Sequence, residues 1–78
     1  MTDDSPTTLD LRGLKCPFPV LKTRKAMQAL PPGALITAEA TDPAAQIDFP
    51  HFCNEAGHTL VSASERDGVY SFVIRKAS

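Results

Sequence analysis

No part of this sequence leaves the backbone fewer choices than Leu9-Asp10-Leu11-Arg12-Gly13-Leu14-Lys15-Cys16-Pro17-Phe18-Pro19-Val20. Leu9 and Leu11 alternate with Asp10 and Arg12, the period-2 sign of a strand with one buried face. Gly13 ends that run. Pro17 and Pro19 would break a helix interior, because each lacks an N–H and its ring crowds the preceding turn. Both fit a first helical turn, where the N–H groups have no intrahelical acceptor. The spacing therefore predicts a strand, a tight turn, and a helix that starts at Pro17 with Cys16 at its N-cap.

The rest of the chain extends this unit. The first helix is expected over Pro17–Leu30, stopped by Pro31-Pro32-Gly33. Its Val20, Thr23, Ala26, Met27 and Leu30 share one face, suited to packing on a sheet. Phe18 and Leu21 fall on another face, among Lys22, Lys25 and Gln28. Ala34–Ala40 reads as a strand with Ile36, Ala38 and Ala40 on one side. Strand, helix and strand in succession imply a right-handed crossover and parallel pairing. After the turn Thr41-Asp42-Pro43, a second helix is expected near Asp48 as N-cap, with Pro50 in its first turn. Phe49, Phe52, Cys53 and Ala56 form its apolar stripe, and Gly57 its C-terminal cap. Strands over His58–Ser64 and Val69–Lys76, joined at Asp67-Gly68, make a hairpin. Tyr70, Phe72 and Ile74 should face the helices. The fold class is α+β: a two-layer sandwich, order βαβαββ, with two helices on one face of a mixed four-stranded sheet.

At 78 residues there is room for one core only. Residues 1–8 are polar and acidic and read as a flexible N-terminal tail, with a single domain over 9–78. The formal net charge of −1 gives no basic field for nucleic acid. No apolar run is long enough for a membrane span, and the N-terminus is unlike a signal peptide. The two cysteines stand far apart with no C-x-x-C, which suits neither a disulfide framework nor a zinc site and fits a reducing cytoplasm. His51 and His58 lack metal-ligand spacing, so no metal or other cofactor is expected.

The chemistry concentrates at Cys16. A thiol at a helix N-terminus gains from the dipole and from an unpaired N–H, notably that of Phe18, and such sites lower a cysteine pKa from about 8.5 to roughly 3.5–7.5. Arg12, Lys15, Lys22, Arg24 and Lys25 are five of the eight Lys and Arg residues, and no acid lies between Arg12 and Lys25. That cluster favours a thiolate or persulfide anion, and equally an acidic partner surface. A solvated helix face is the plainer account of the same charges. Asp10 and Gly13 are either turn residues or shape the loop that presents Cys16. Phe18 suits a docking anchor, and Leu21 either that or a contact with the second helix. Cys53, on the apolar stripe, reads as a buried structural thiol. A single reactive thiol cannot run a dithiol cycle, but it can accept a sulfur atom and pass it on.

Cys16-Pro17-Phe18-Pro19 has the form C-P-x-P, preceded by Asp10 and Gly13 and followed by Arg24-Lys25. With Thr41-Asp42-Pro43, Asp48-Phe49-Pro50-His51-Phe52-Cys53 and Gly57-His58-Thr59-Leu60, it resembles the TusA/SirA-like family of small sulfur carriers from about Leu9 to Lys76. The resemblance implies the same fold and a sulfurtransferase that acts as a persulfide relay, with Cys16 taking sulfane sulfur and passing it to an acceptor. The donor would be a cysteine desulfurase or a rhodanese-like protein. Pro17 and Pro19 would stiffen the loop, while Phe18, Leu21, Lys22, Arg24 and Lys25 would dock donor and acceptor in turn. Such families serve tRNA thiolation, cofactor assembly or sulfur oxidation. A monomer is the default for a carrier that changes partners, with no membrane and no direct nucleic-acid contact. Two other readings stay open on the residues alone: a non-catalytic interaction or regulatory module using the same surface, and a thiol redox sensor at Cys16.

Overall fold

The computed structural model of the protein describes residues 7–77. The expected tail over 1–8 lies outside the described residues except for Thr7 and Thr8, which open the first strand. The elements run β1 (Thr7–Leu11), α1 (Phe18–Gln28), β2 (Leu35–Ala40), α2 (Ala45–Ala56), β3 (Thr59–Arg66) and β4 (Val69–Arg75). In the sheet the strands lie in the order β1-β2-β4-β3. β1 pairs parallel to β2, with Leu9 beside Ala38, as the crossover through α1 requires. β4 runs antiparallel to β2, with Phe72 beside Ala38, and antiparallel to β3. This is the mixed four-stranded α+β sandwich expected from the order of elements.

Alternation decides which side of each strand is buried. Ile36, Ala38 and Ala40 on β2, and Phe72 and Ile74 on β4, are closed off beneath the helices, while Leu35, Thr37 and Glu39 are only half-buried. Tyr70 is half-buried too, because β3 and its end of β4 lie at the margin of the helical layer. α1 contributes Thr23 and Met27, and α2 contributes Ala45, Phe49, Phe52 and Cys53. The rings of Phe49 and Phe72 stack with centroids 4.5 Å apart and an interplanar angle of 13°, joining α2 to the middle of the sheet. Alanine at 38, 40 and 45 keeps the backbones close where these rings need room. Thr23, the one buried polar residue among those described, donates its hydroxyl to the Pro19 carbonyl at 2.8 Å. At the β3–β4 turn both Asp67 (φ 53°) and Gly68 (φ 82°) are left-handed, the pairing that a two-residue hairpin loop demands.

Three local expectations need correction. α2 starts at Ala45, with Ala44 as its N-cap, not beside Asp48, because the chain already turns at Asp42: its Oδ1 accepts the Ala44 N–H at 3.0 Å and its carbonyl accepts the Ala45 N–H at 2.9 Å. Asp48 then falls inside the first turn, and Pro50 inside the helix proper, where its missing N–H leaves the Gln46 carbonyl without a helical donor. Ala56 is exposed at the end of α2, so the buried stripe runs through Ala45, Phe49, Phe52 and Cys53 instead. β3 lies slightly later than His58–Ser64 and carries a bulge between Leu60 and Ser62 that leaves Val61 outside the register.

Candidate functional site

The loop between β1 and α1 is fastened to the β2–α2 connection by side chains that lie far along the chain. Gly13 (φ 84°) makes the left-handed bend that closes β1, and its N–H donates to Thr41 Oγ1 at 2.9 Å. The Cys16 N–H donates to Asp42 Oδ2 at 2.7 Å. One carboxylate therefore braces the turn into α2 with one oxygen and holds the Cys16 backbone with the other. The N–H groups of Cys16 and Ala44 keep the Asp42 pKa below the usual carboxylate range. Asp10 takes no part in this clasp. It forms a two-point pair with Arg12 (Nε–Oδ1 2.8 Å, Nη2–Oδ2 3.0 Å), and those bonds bring its pKa down to about 2. Of the two loop residues singled out by sequence, Gly13 shapes the Cys16 loop directly, and Asp10 braces its neighbour Arg12.

Cys16 is not the N-cap. The Cys16–Pro17 peptide is cis, Pro17 occupies the N-cap, and Phe18 and Pro19 are the first two helical residues. The Phe18 N–H expected to face the sulfur donates instead to the Lys15 carbonyl at 2.8 Å, and Pro19 has none to offer. The helix terminus is largely spent on its own loop.

The sulfur's surroundings are set by α2. Asp48, His51, Phe52 and Glu55 recur at i, i+3, i+4 and i+7, so they share one face of that helix. With Cys16, Pro17, Val20, Leu21 and Arg24 they line a groove of about 370 Å³ between the helices. Phe52 forms its floor, with the Arg24 guanidinium 5.5 Å above the ring. His51 Nε2 and Glu55 lie 3.6 Å apart on the rim. Asp48 lines the groove together with Cys16. Its carboxylate, then partial burial, then the charge of Asp42 push the Cys16 pKa up from its ordinary value. The expected lowering is thus reversed: two carboxylates supplied by distant sequence outweigh a basic stretch whose Arg12 is already paired with Asp10.

The residues expected to dock partners divide into two groups. Leu21, 46% exposed, and Arg24 share the groove with Cys16. Lys22 and Lys25 instead border a separate depression along β1, with Leu9, Asp10 and Ala26. Phe18 belongs to neither and stands 55% exposed beside the loop. Pro19 is buried in the first turn of α1, while Pro17 lines the groove. Cys53 is buried, and burial raises its pKa. Sequence reasoning missed Asp48, His51 and Glu55 as site residues, because it followed only the apolar stripe of α2; their 3–4 residue spacing was the available signal. Among the described residues no group of three or more His, Cys, Asp or Glu is placed to hold a metal ion, and no helix is long and apolar enough to cross a membrane.

Comparison with known proteins places this geometry. Residues 7–76 match the family model described as sulfurtransferase TusA. The chain is 45% identical over 71 residues to the sulfur carrier protein TusA of Pseudomonas fluorescens, covering 91% of this chain and 86% of that one. It is 42% identical over 76 residues to the sulfur carrier protein TusA of Pseudomonas aeruginosa, covering 97% and 96%. The crystal structure of a SirA-like protein from Desulfitobacterium hafniense shares the fold, with a TM-score of 0.80 at 23% identity over 92% of this chain and 99% of that one.

Proposed function

This chain belongs to the TusA sulfurtransferase family, and on that premise we propose that Cys16 carries sulfane sulfur as a persulfide between two partner proteins. The observation that carries the reading is the contrast between the two thiols. Cys16 is exposed on a fastened loop at the mouth of a groove, and Cys53 is shut in the core. In the loading step the Cys16 thiolate attacks the terminal sulfur of a donor persulfide. The donor S–S bond breaks, the donor cysteine leaves as a thiolate, and Cys16-S-SH remains. In delivery an acceptor thiolate attacks the outer sulfur of Cys16-S-SH, and Cys16 leaves as the thiolate. Neither step needs an external oxidant or reductant, since the sulfane sulfur keeps its oxidation state throughout. The donor in this reading is a cysteine desulfurase or a rhodanese-like protein, and the acceptor is a second protein with a reactive cysteine.

The remaining residues act as scaffold and rim. Gly13, Thr41 and Asp42 fix where the sulfur stands, Pro17 stiffens its backbone, and Leu21 with Arg24 offers a mixed apolar and cationic contact for each partner. The carrier is read as a cytoplasmic monomer, consistent with two free cysteines and with the need to expose one groove to successive partners. Intact mass after incubation with a cysteine desulfurase and cysteine tests the assignment. The expected result is a reductant-sensitive gain of one sulfur atom, lost in Cys16→Ser and kept in Cys53→Ser. A gain that maps to Cys53, or none from several donors, would overturn it and favour a non-catalytic interaction module.

A further inference from the structure

Lys22 and Lys25 take no part in the Cys16 groove, although they stand close to it in sequence. With Ala26 they share one face of α1 at i, i+3 and i+4, and with Leu9, Asp10 and Leu11 they line a depression of about 340 Å³ between that helix and β1. Both lysines are exposed, and among the described residues neither makes an ion pair. The one carboxylate in the depression, Asp10, is already held at two points by Arg12. The free charge here is therefore positive.

The same depression borders an open hydrogen-bonding edge. β1 ends the sheet on one side and, among the described residues, pairs with β2 alone. Every second residue of such a strand turns its N–H and C=O away from the sheet. The register against β2 runs unbroken from Thr7 to Leu11. The opposite edge differs. There β3 is interrupted by the bulge between Leu60 and Ser62, a device that spoils an edge for further pairing.

We propose that this edge of β1 is a second docking surface, one that takes an extended acidic segment of a partner protein as a fifth strand. The backbone of the segment bonds to β1, and its alternate side chains point to the helical side, where Leu9 and Leu11 meet the core. Side chains two apart on a strand are separated by about 6.6–6.8 Å. Lys22 and Lys25, three apart on a helix, present Cβ atoms about 5–6 Å apart. The pattern that fits is Asp or Glu at every second position, each carboxylate paired with one lysine. A nucleic-acid strand brings the charge but not the peptide donors and acceptors that this edge matches. The surface lies outside the Cys16 groove, so the inference does not depend on sulfur transfer by that residue.

The probe is a short blocked peptide in which Glu alternates with Val, titrated into the isotope-labelled full chain and followed by NMR. The amide signals of Thr8–Leu11, Lys22 and Lys25 should move, those of His51 and Phe52 in the Cys16 groove should stay, and the β1 amides should exchange more slowly in the complex. Lys22→Glu combined with Lys25→Glu should weaken binding by about tenfold or more. Both side chains are exposed, and thermal melts show that the fold is retained. The same peptide N-methylated throughout keeps its charge and loses its strand bonds, so it should bind about tenfold more weakly or worse. No shifts with the plain peptide, equal binding by the methylated one, shifts centred on His51 and Phe52, or tighter binding of an oligothymidylate of equal charge would each overturn the proposal. So would a double lysine variant that self-associates yet binds the peptide as the parent does, since Lys22 and Lys25 would then only guard the edge against self-pairing.

Discussion

Replacing Phe49 by alanine should come close to unfolding this protein. Phe49 is fully buried, and its ring stacks 4.5 Å from Phe72, so it is the bolt between α2 and the centre of the sheet. Truncating a buried phenylalanine costs about 3–5 kcal/mol, of which the aromatic pair accounts for about 0.5–1.5. A domain of 78 residues has roughly 4–12 kcal/mol of total stability, so the loss is a large part of the whole. For a domain of this size 1 kcal/mol moves Tm by about 4–8 °C, which puts Phe49→Ala about 12–40 °C below the parent. Phe49→Leu keeps most of the volume and loses the ring pair, so about 1–3 kcal/mol is expected. Urea unfolding followed by circular dichroism, with thermal melts beside it, gives both numbers, provided the m-value stays constant. A loss below about 2 kcal/mol for Phe49→Ala, or an alanine variant no worse than the leucine one, would refute the view that this stacked pair carries the helix–sheet contact.

Other outcomes follow from the loop and from the chain's C-terminal end. Gly13→Ala meets no atom within 4 Å of the added Cβ, so its cost is purely the left-handed backbone, about 1–2 kcal/mol. It should lower Tm modestly and slow sulfur loading by disturbing the Cys16 loop, and an unchanged Tm would mean the turn relaxes freely. His58 Nδ1 accepts the Ala77 N–H at 2.9 Å, and burial followed by the charge of Lys76 lowers its pKa. Because the folded value lies below the unfolded one, its contribution is complete above the unfolded pKa of about 6.5 and is lost as pH falls below it. The drop in Tm between pH 7.5 and 5.5 should therefore be smaller in His58→Gln than in the parent; equal drops would show that His58 is not titrating against the fold.

What could be read from the sequence was what local pattern encodes. The alternation of Ile36, Ala38 and Ala40, and of Phe72 with Ile74, reports the buried face because a strand has only two sides. Asp67-Gly68 specifies its turn because few other residues adopt both left-handed conformations. The environment of Cys16 was not legible in the same way. Its pKa is governed by Asp48 and Asp42, which reach it only after β2 has returned the chain to the same end of the sheet. Reading the charges near Cys16 in sequence counted Arg12 as free, although Asp10 occupies it. The start of α2 was misplaced for a related reason. Asp48 is a good N-cap residue in isolation, but Asp42 was already bonded to Ala44 one turn earlier.

The double grip of Asp42 also sets how far the sulfur can travel. Gly13 and Cys16 are each tied by a backbone hydrogen bond to the segment that leads into α2, so the Cys16 main chain belongs to the rigid body of the protein. Only the short cysteine side chain remains to swing. A carrier with a long flexible arm can feed a reaction centre at the bottom of a deep cleft, but this one has no arm. A sulfur carried on Cys16 would be a fixed point at the mouth of the groove, and the distance to the next sulfur would have to be closed from the other side. In the relay proposed above, donor and acceptor alike would have to bring their cysteines forward on protruding or mobile segments, and the rate of each exchange would then be governed by the partner's excursion.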